Sequence, residues 1–304
     1  MSIPHSGSPR ADAVSFVQSF EEIAERYDLL LCDVWGVLHD GLKAFPAAGE
    51  ALTRFREAGG RVVLVSNAPR PGDVVTRQLD QFGVPRTAYD DVRTSGDLTR
   101  AIVAGHGEKT FHHIGPERDL GLFRGLSGRP TSLAEAEYVV CTGLFDDETE
   151  TAEHYAETLA AMRERDLPMI CANPDLVVER GHQLIVCAGA IAAAYEDLGG
   201  RTVTPGKPHR PIYEAALALG SELLGRPVER SRVLGVGDAI RTDVAGGHGA
   251  GVHTMLVARG IHASELGAAH DRIDPDFAVR WAAGQDVSPT YVIHDLTWRR
   301  TQAS

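Results

Sequence analysis

The chain has 304 residues, of which 43% are hydrophobic and 24% charged, and its formal net charge is -12. This length and apolar content suit one large core or two ordinary ones and exclude wholesale disorder. The acidic balance excludes a general binder of nucleic acid or of anionic membrane, which would want basic surface, so an anionic substrate would have to be drawn in by a local device. Residues 1–11 are rich in Ser, Pro and Gly and are expected to be mobile. The spacing of Val14, Val17, Phe20, Ile23, Ala24 and Tyr27 predicts a helix over 12–27. LLLCDVWGVL (29–38) reads as a buried strand carrying a lone acid, 46–60 as a helix opened by proline and stopped by Gly59-Gly60, and RVVLVSN (61–67) as a second buried strand.

Helices are expected over 71–82 and 96–103. A stretch with its own α/β rhythm follows: strand KTFHHIG, a short helix ERDLGLFRGL, strand EYVVCTG, a long helix over 150–165, strand LPMICAN and an Ala-rich helix over 187–198. After the break at Gly199-Gly200 come a helix over 212–224, strand SRVLGVGD, the glycine-rich AGGHGAGV, strand HTMLVA and a last strand in YVIHDLTWR. Alternating strands and helices predict parallel sheets covered on both faces. The turn-rich AGHGEK and DLGGRT bound an inserted unit, dividing the chain into core 1–105, insert 106–201 and core 202–304.

The four cysteines, Cys32, Cys141, Cys171 and Cys187, each end an apolar run, with no CxxC pair and no zinc spacing, so buried thiols and a cytoplasmic setting are expected. The N-terminal segment lacks the basic and apolar regions of a signal peptide, and no apolar run approaches about 18 residues, so no membrane partner is expected.

Polar residues fall where chemistry would need them. Asp33, Ser66-Asn67 and Asp238 each end an apolar strand, and open α/β sheets bind ligands outside those ends. Alone, Asp33 or Asp238 reads equally as a turn or capping residue. Together, with Asp243 five residues beyond, they suit a hard cation such as Mg²⁺, which takes carboxylates, waters and phosphate oxygens. Ser66 and Asn67 offer a hydroxyl and an amide to phosphate, and Lys207 in TPGKP is either a solvated lysine or a cation fixed by its restricted loop. Arg70 in SNAPRP is a phosphate contact or a solvated side chain. His112 and His113 would point to opposite strand faces and so not chelate one metal, and the GxG of LGVGDA lacks the rest of a dinucleotide site.

Strand-DxxGV, strand-SN, GK before a helix and strand-GDxxxTD, in that order, resemble the four motifs of the haloacid dehalogenase (HAD) superfamily. The insert resembles the α/β cap of its class IIA members, the nitrophenylphosphatase- and nucleotide-phosphatase-like branch, down to a stretch from Ala172-Asn173-Pro174-Asp175 to Gly206-Lys207-Pro208. The resemblance covers Leu29 to about Gly260. It implies a Rossmann-like parallel-sheet core with an inserted α/β cap, and a Mg²⁺-dependent hydrolase of a small phosphorylated metabolite. Asp33 would be the nucleophile that forms an aspartyl-phosphate, and Asp33, Asp238 and the Trp35 carbonyl would hold Mg²⁺. Ser66 and Lys207, with Asn67 beside them, would serve the phosphate, Asn67 would also support the loop geometry, and Asp243 would orient Lys207 or a metal-bound water. Asn173, Asp175, Arg180 and His182 in the cap are candidates for substrate selection, and dimers among relatives suggest a homodimer.

The pattern breaks at one residue: DVWG stands where the family has DxDG, so Trp35 replaces the aspartate that protonates the leaving oxygen. An indole N–H donates a hydrogen bond but is no acid near neutral pH. Losing general acid–base help typically costs about 10²–10⁴-fold in rate. Three readings follow: a hydrolase limited to good leaving groups, a proton supplied by His39 or Asp40, or a protein that binds metal and phosphometabolite without turnover.

Overall fold

The computed structural model describes residues 14–181, 183–267 and 273–299. In chain order its first strands are β1 (Ser15–Val17), β2 (Leu29–Cys32), β3 (Arg61–Ser66) and β4 (Asp91–Thr94). Strands β5 (Thr110–Ile114), β6 (Arg129–Pro130), β7 (Tyr138–Cys141), β8 (Met169–Cys171), β9 (Val177–Arg180), β10 (Gln183–Val186) and β11 (Thr202–Val203) follow. The chain then returns through β12 (Val233–Gly237), β13 (His253–Val257) and β14 (Tyr291–Ile293). The first and last groups form one parallel seven-stranded sheet in the order β1-β14-β13-β12-β2-β3-β4. The middle group gives a parallel five-stranded sheet, β11-β8-β7-β5-β6, and a separate antiparallel hairpin of β9 and β10.

Helices cover the sheets: α1 (Glu21–Ala24), α2 (Pro46–Glu57), α3 (Gly72–Phe82), α4 (Ser95–Gly105), α5 (Ala156–Glu164), α6 (Ala188–Asp197), α7 (Arg210–Leu224), α8 (Ala245–Gly249) and α9 (Pro275–Ala283). The continuous apolar runs of the central strands make sense because both faces are buried. Leu30 and Cys32 pack with Leu52 and Phe55 of α2, whereas Leu29 and Leu31 pack with Ile212, Tyr213 and Ala216 of α7. Pro46 opens α2, and Thr94 with Asp97 forms a reciprocal cap at the start of α4. This is an α/β architecture with a Rossmann-like core.

The expected helix over 12–27 is a correction. Residues 12 and 13 lie outside the described residues, and 14–27 hold the edge strand β1 followed by the single turn α1. Val17, Phe20, Ile23, Ala24 and Tyr27 are indeed buried, but β1 pairs with β14, a partner far away in sequence that local spacing does not register. ERDLGLFRGL forms only 3₁₀ turns, and the glycine-rich AGGHG is helical. Strands β4, β9 and β10 had no clear periodic signal. All four thiols are buried and free, and no described helix is long and apolar enough to cross a membrane.

Chain direction decides where the site lies. From β2 the sheet grows one way through β3 and β4, and β12 joins the opposite side of β2. The crevice beyond the carboxyl ends of β2 and β12 is therefore the topological switch point, and Asp33 and Asp238 stand there.

Candidate active site

Asp33 follows β2 directly, and its amide donates to the Val236 carbonyl of β12 (2.8 Å). Asp238 follows β12, and its Oδ2 accepts from the Ile261 amide (2.8 Å). Asp243 lies one turn further on, where the Ala239 amide donates to its Oδ2 (3.2 Å). Carboxylate oxygens of Asp33, Asp238 and Asp243 come within 4.8 Å of one another. Gly36 permits this closeness: its φ is +79°, and a Cβ there would lie 2.0 Å from Asp238 Oδ2.

Lys207 bridges two of the three acids, with Nζ 2.6 Å from Asp33 Oδ1 and 2.7 Å from Asp243 Oδ1. Asp33 Oδ1 also accepts from the Val34 amide, while Oδ2 has no donor among the described residues. Burial, and after it the Asp243 charge, holds the Asp33 carboxyl well above its usual range. The same two causes push Asp238 up to about 7. Burial opposes the Lys207 ammonium, but Asp243 and Asp33 outweigh it and hold its pKa well above the usual value. Three acids around one ammonium leave an excess of buried negative charge, which is costly without a counterion. An all-oxygen donor set of this charge fits a hard dication such as Mg²⁺.

Asn67 takes the loop-supporting role expected of it rather than the phosphate contact its amide could also have made. Its Oδ1 accepts from the Lys207 amide (2.7 Å), and its Nδ2 donates to the Lys207 carbonyl (3.2 Å) and to Asp175 Oδ1 (2.8 Å). With both amide hydrogens engaged, Asn67 fixes the lysine loop rather than offering a donor to phosphate. Ser66 Oγ accepts from the Ala68 amide, and its own proton remains available.

His39 is not brought to the carboxylates. It is 1% exposed and lines neither cleft at Asp33; its ring packs on Trp35 and Phe82, and its Nδ1 accepts from the Gly41 amide. Burial lowers its pKa to about 4, so it is neutral at ordinary pH. Asp40, by contrast, lines a cleft together with Asp33.

Two clefts meet at the site and share Asp33, Trp35, Asp175 and Val178. The wider, of about 680 Å³, takes in Asp40, Lys43, Asp238 and Arg259. The narrower, of about 380 Å³, runs from Asp33, Ser66 and Arg70 to Arg118, Asp119, Asp147, Asn173 and Arg180 on the inserted unit. A third cleft, lined by Cys171, Glu196, His209 and Arg241, does not reach Asp33. Of the residues expected to select substrate, Asn173, Asp175 and Arg180 face the narrower cleft, and His182 lies outside the described residues. Asn173 Oδ1 accepts from the Asp175 amide, which fixes that turn.

Arg118, Asp119 and Asp147 were missed. Asp147 Oδ2 pairs with Arg118 (2.6 Å) and Arg180 (3.1 Å), and Arg70 Nε lies 4.0 Å from buried Asp119. A signal was present: IGPERD and TGLFDD are polar clusters just beyond strands β5 and β7, a placement like that of Asp33 although only β7 is a continuous apolar run. His112 and His113 bond separately, to the Thr131 carbonyl and to Thr142.

Comparison with known proteins agrees with this geometry. A family described as haloacid dehalogenase-like hydrolase matches residues 30–126, and one described as HAD-hydrolase-like matches 204–298. A haloacid dehalogenase-like hydrolase from Brucella suis 1330 is 45% identical with a TM-score of 0.83, over 93% of this chain and all of that one (100%). The D-glycerol 3-phosphate phosphatase of Mycobacterium tuberculosis is 29% identical over 91% of this chain and 72% of its own length. A crystal structure of glycerol phosphate phosphatase from that organism, in complex with magnesium, is 25% identical with a TM-score of 0.65, over 90% of this chain and 76% of that one. The chain belongs to the haloacid dehalogenase-like family of hydrolases.

Proposed function

We propose that this chain is a Mg²⁺-dependent phosphatase that hydrolyses a small phosphorylated metabolite through an aspartyl-phosphate on Asp33. The observation that carries the reading is the meeting of Asp33, Asp238, Asp243 and Lys207 at the switch point of the sheet. The magnesium-bound relative supports the choice of ion. Asp33, Asp238 and the Trp35 carbonyl would hold it, and when bound it adds positive charge at the phosphoryl oxygens and offsets the crowding of carboxylates.

Lys207 pins Asp33 Oδ1, which leaves Oδ2 to attack phosphorus. The phosphorus–oxygen bond to the metabolite breaks, and its electron pair leaves with the metabolite oxygen. Water then attacks the phosphorus of the aspartyl-phosphate, releasing inorganic phosphate and restoring the carboxylate. The Ser66 hydroxyl and Lys207 neutralise the phosphoryl group, and Asp243 holds Lys207 in place. Residues 106–201 act as a cap, and Asn173, Asp175 and Arg180 read the rest of the substrate. Free buried thiols fit a reducing compartment, the cytoplasm.

Proton supply sets the range of substrates. Trp35 is no acid and buried His39 does not face the clefts, so unless Asp40, which lines a cleft with Asp33, supplies the proton, the leaving oxygen departs as a stable anion. Acyl and aryl phosphates meet that condition. Phosphate release with Mg²⁺ from acetyl phosphate, p-nitrophenyl phosphate and glycerol phosphate tests this, with the first two expected to turn over far faster. Equal rates for the aryl and alkyl esters would show that a proton is supplied after all, and loss of the alkyl rate in Asp40→Asn would identify the donor. Trp35 also favours a second reading, a protein that binds metal and phosphometabolite without turnover. Folded, metal-loaded protein that binds phosphate yet releases none from any of the three would support it.

A further inference from the structure

The β9–β10 hairpin belongs to neither large sheet. Its strand β9 is half-buried along its length, and Leu184 on β10 is largely exposed. What ties it to the core is the loop that follows Asp33. The Trp35 indole Nε1 donates to the Glu179 carbonyl (2.6 Å), and the Gly181 amide donates to the Asp40 carbonyl (3.1 Å). The indole is itself seated firmly: its ring meets His39 edge-on at 5.0 Å, and His39 rests on Phe82 at 4.8 Å. On its other side lies Gly41, with φ +84°, where a Cβ would come within 2.5 Å of the ring. Buried His39 fixes the same loop by accepting from the Gly41 amide.

We propose that Trp35 is a positioning residue that latches the β9–β10 hairpin to the nucleophile loop, so that closure over the cleft and the setting of Asp33 are one event. This rests on the phosphatase reading for its catalytic meaning, though not for its structural content. The position at which the family pattern would carry an acid is used here for cover. The indole suits that work, since its flat ring packs while its single N–H reaches a peptide carbonyl. Both clefts at Asp33 are lined by Trp35 and by residues of β9, so freeing the hairpin would open both to water.

Hydrogen exchange in native protein, Trp35→Phe and Trp35→Ala tests the latch without requiring turnover. Phenylalanine keeps the packing and loses the N–H; the hairpin amides over 177–181 and 183–186, Gly181 among them, should then exchange roughly fivefold faster, as the loss of one net hydrogen bond implies. Trp35→Ala should exchange faster still, while β5, β7 and β8 keep their native rates. With acetyl phosphate, kcat/KM should fall by a similar factor, mainly through KM, because the substrate must then supply the closure. Unchanged hairpin exchange in both variants would overturn the proposal, even where Mg²⁺-dependent phosphate release left the phosphatase reading standing. Faster hairpin exchange without turnover in any protein would keep the latch and remove that reading.

Discussion

On the core side of the cleft, the side chains of Lys207, Asp33 and Asp243 are 3%, 9% and 7% exposed; the two acids are held by a strand end or the turn after it, and Lys207 by a loop bonded to Asn67. On the inserted side, Arg118 and Arg180 are 55% and 32% exposed and share one carboxylate, Asp147. Both walls are ionic, yet the physics differs. Removing one partner from a buried cluster strands the others, whereas exposed ion pairs contribute little and exchange partners easily. On the proposed function, the chemistry is thus built where replacement is costly, and recognition where it is cheap.

The sharpest way to break this comparison is Lys207→Met. It leaves Asp33 and Asp243 without their shared cation and should destabilise the metal-free protein by about 3–5 kcal/mol in urea denaturation. A loss under about 1 kcal/mol would mean that the core wall is no more tightly coupled than the other. Next, Trp35→Asp should raise turnover of glycerol phosphate by the factor of about 10²–10⁴ that a general acid supplies, less the several-fold cost of an opened hairpin. The rate with p-nitrophenyl phosphate should change much less, and kcat for both esters checks the contrast.

Arg180→Gln should cost less than about 1 kcal/mol of stability but shift KM between substrates, because it faces the cleft from the exposed wall. Away from both walls, at Asp28, an effect well below that of Lys207 is expected. Hydrogen bonds from Arg232, and then from Arg226, lower its pKa to about 2. A carboxyl lowered on folding contributes stability above its unfolded pKa of about 4 and loses it as pH falls toward 2. Asp28→Asn should therefore cost about 1 kcal/mol near pH 6 and nothing near pH 2, as read from urea midpoints across pH.

The same contrast governs what could be read from the sequence. Asp33 and Asp238 stood out because each ends a continuous apolar run, and β2 and β12 are buried on both faces. The parallel core was legible for that reason. Strand β1 was not, since its apolar spacing matched a helix while its partner β14 lies at the far end of the chain. The β9–β10 hairpin escaped because half-exposed VVER and QLIV carry no clean alternation. Asn67 was visible as a polar strand end, but its grip on Lys207 depends on a loop brought in from 140 residues away. For Trp35, the sequence showed what was missing and gave no sign of Glu179, the carbonyl it binds.

The proposed reaction stands or falls with Asp33 as a nucleophile working with a metal. Phosphate release from acetyl phosphate and p-nitrophenyl phosphate should be compared between native protein and Asp33→Asn, with and without Mg²⁺. Turnover should require both, with the variant folded and slower by roughly 10⁴-fold or more. Equal rates from the two proteins, each folded and metal-loaded, would contradict it.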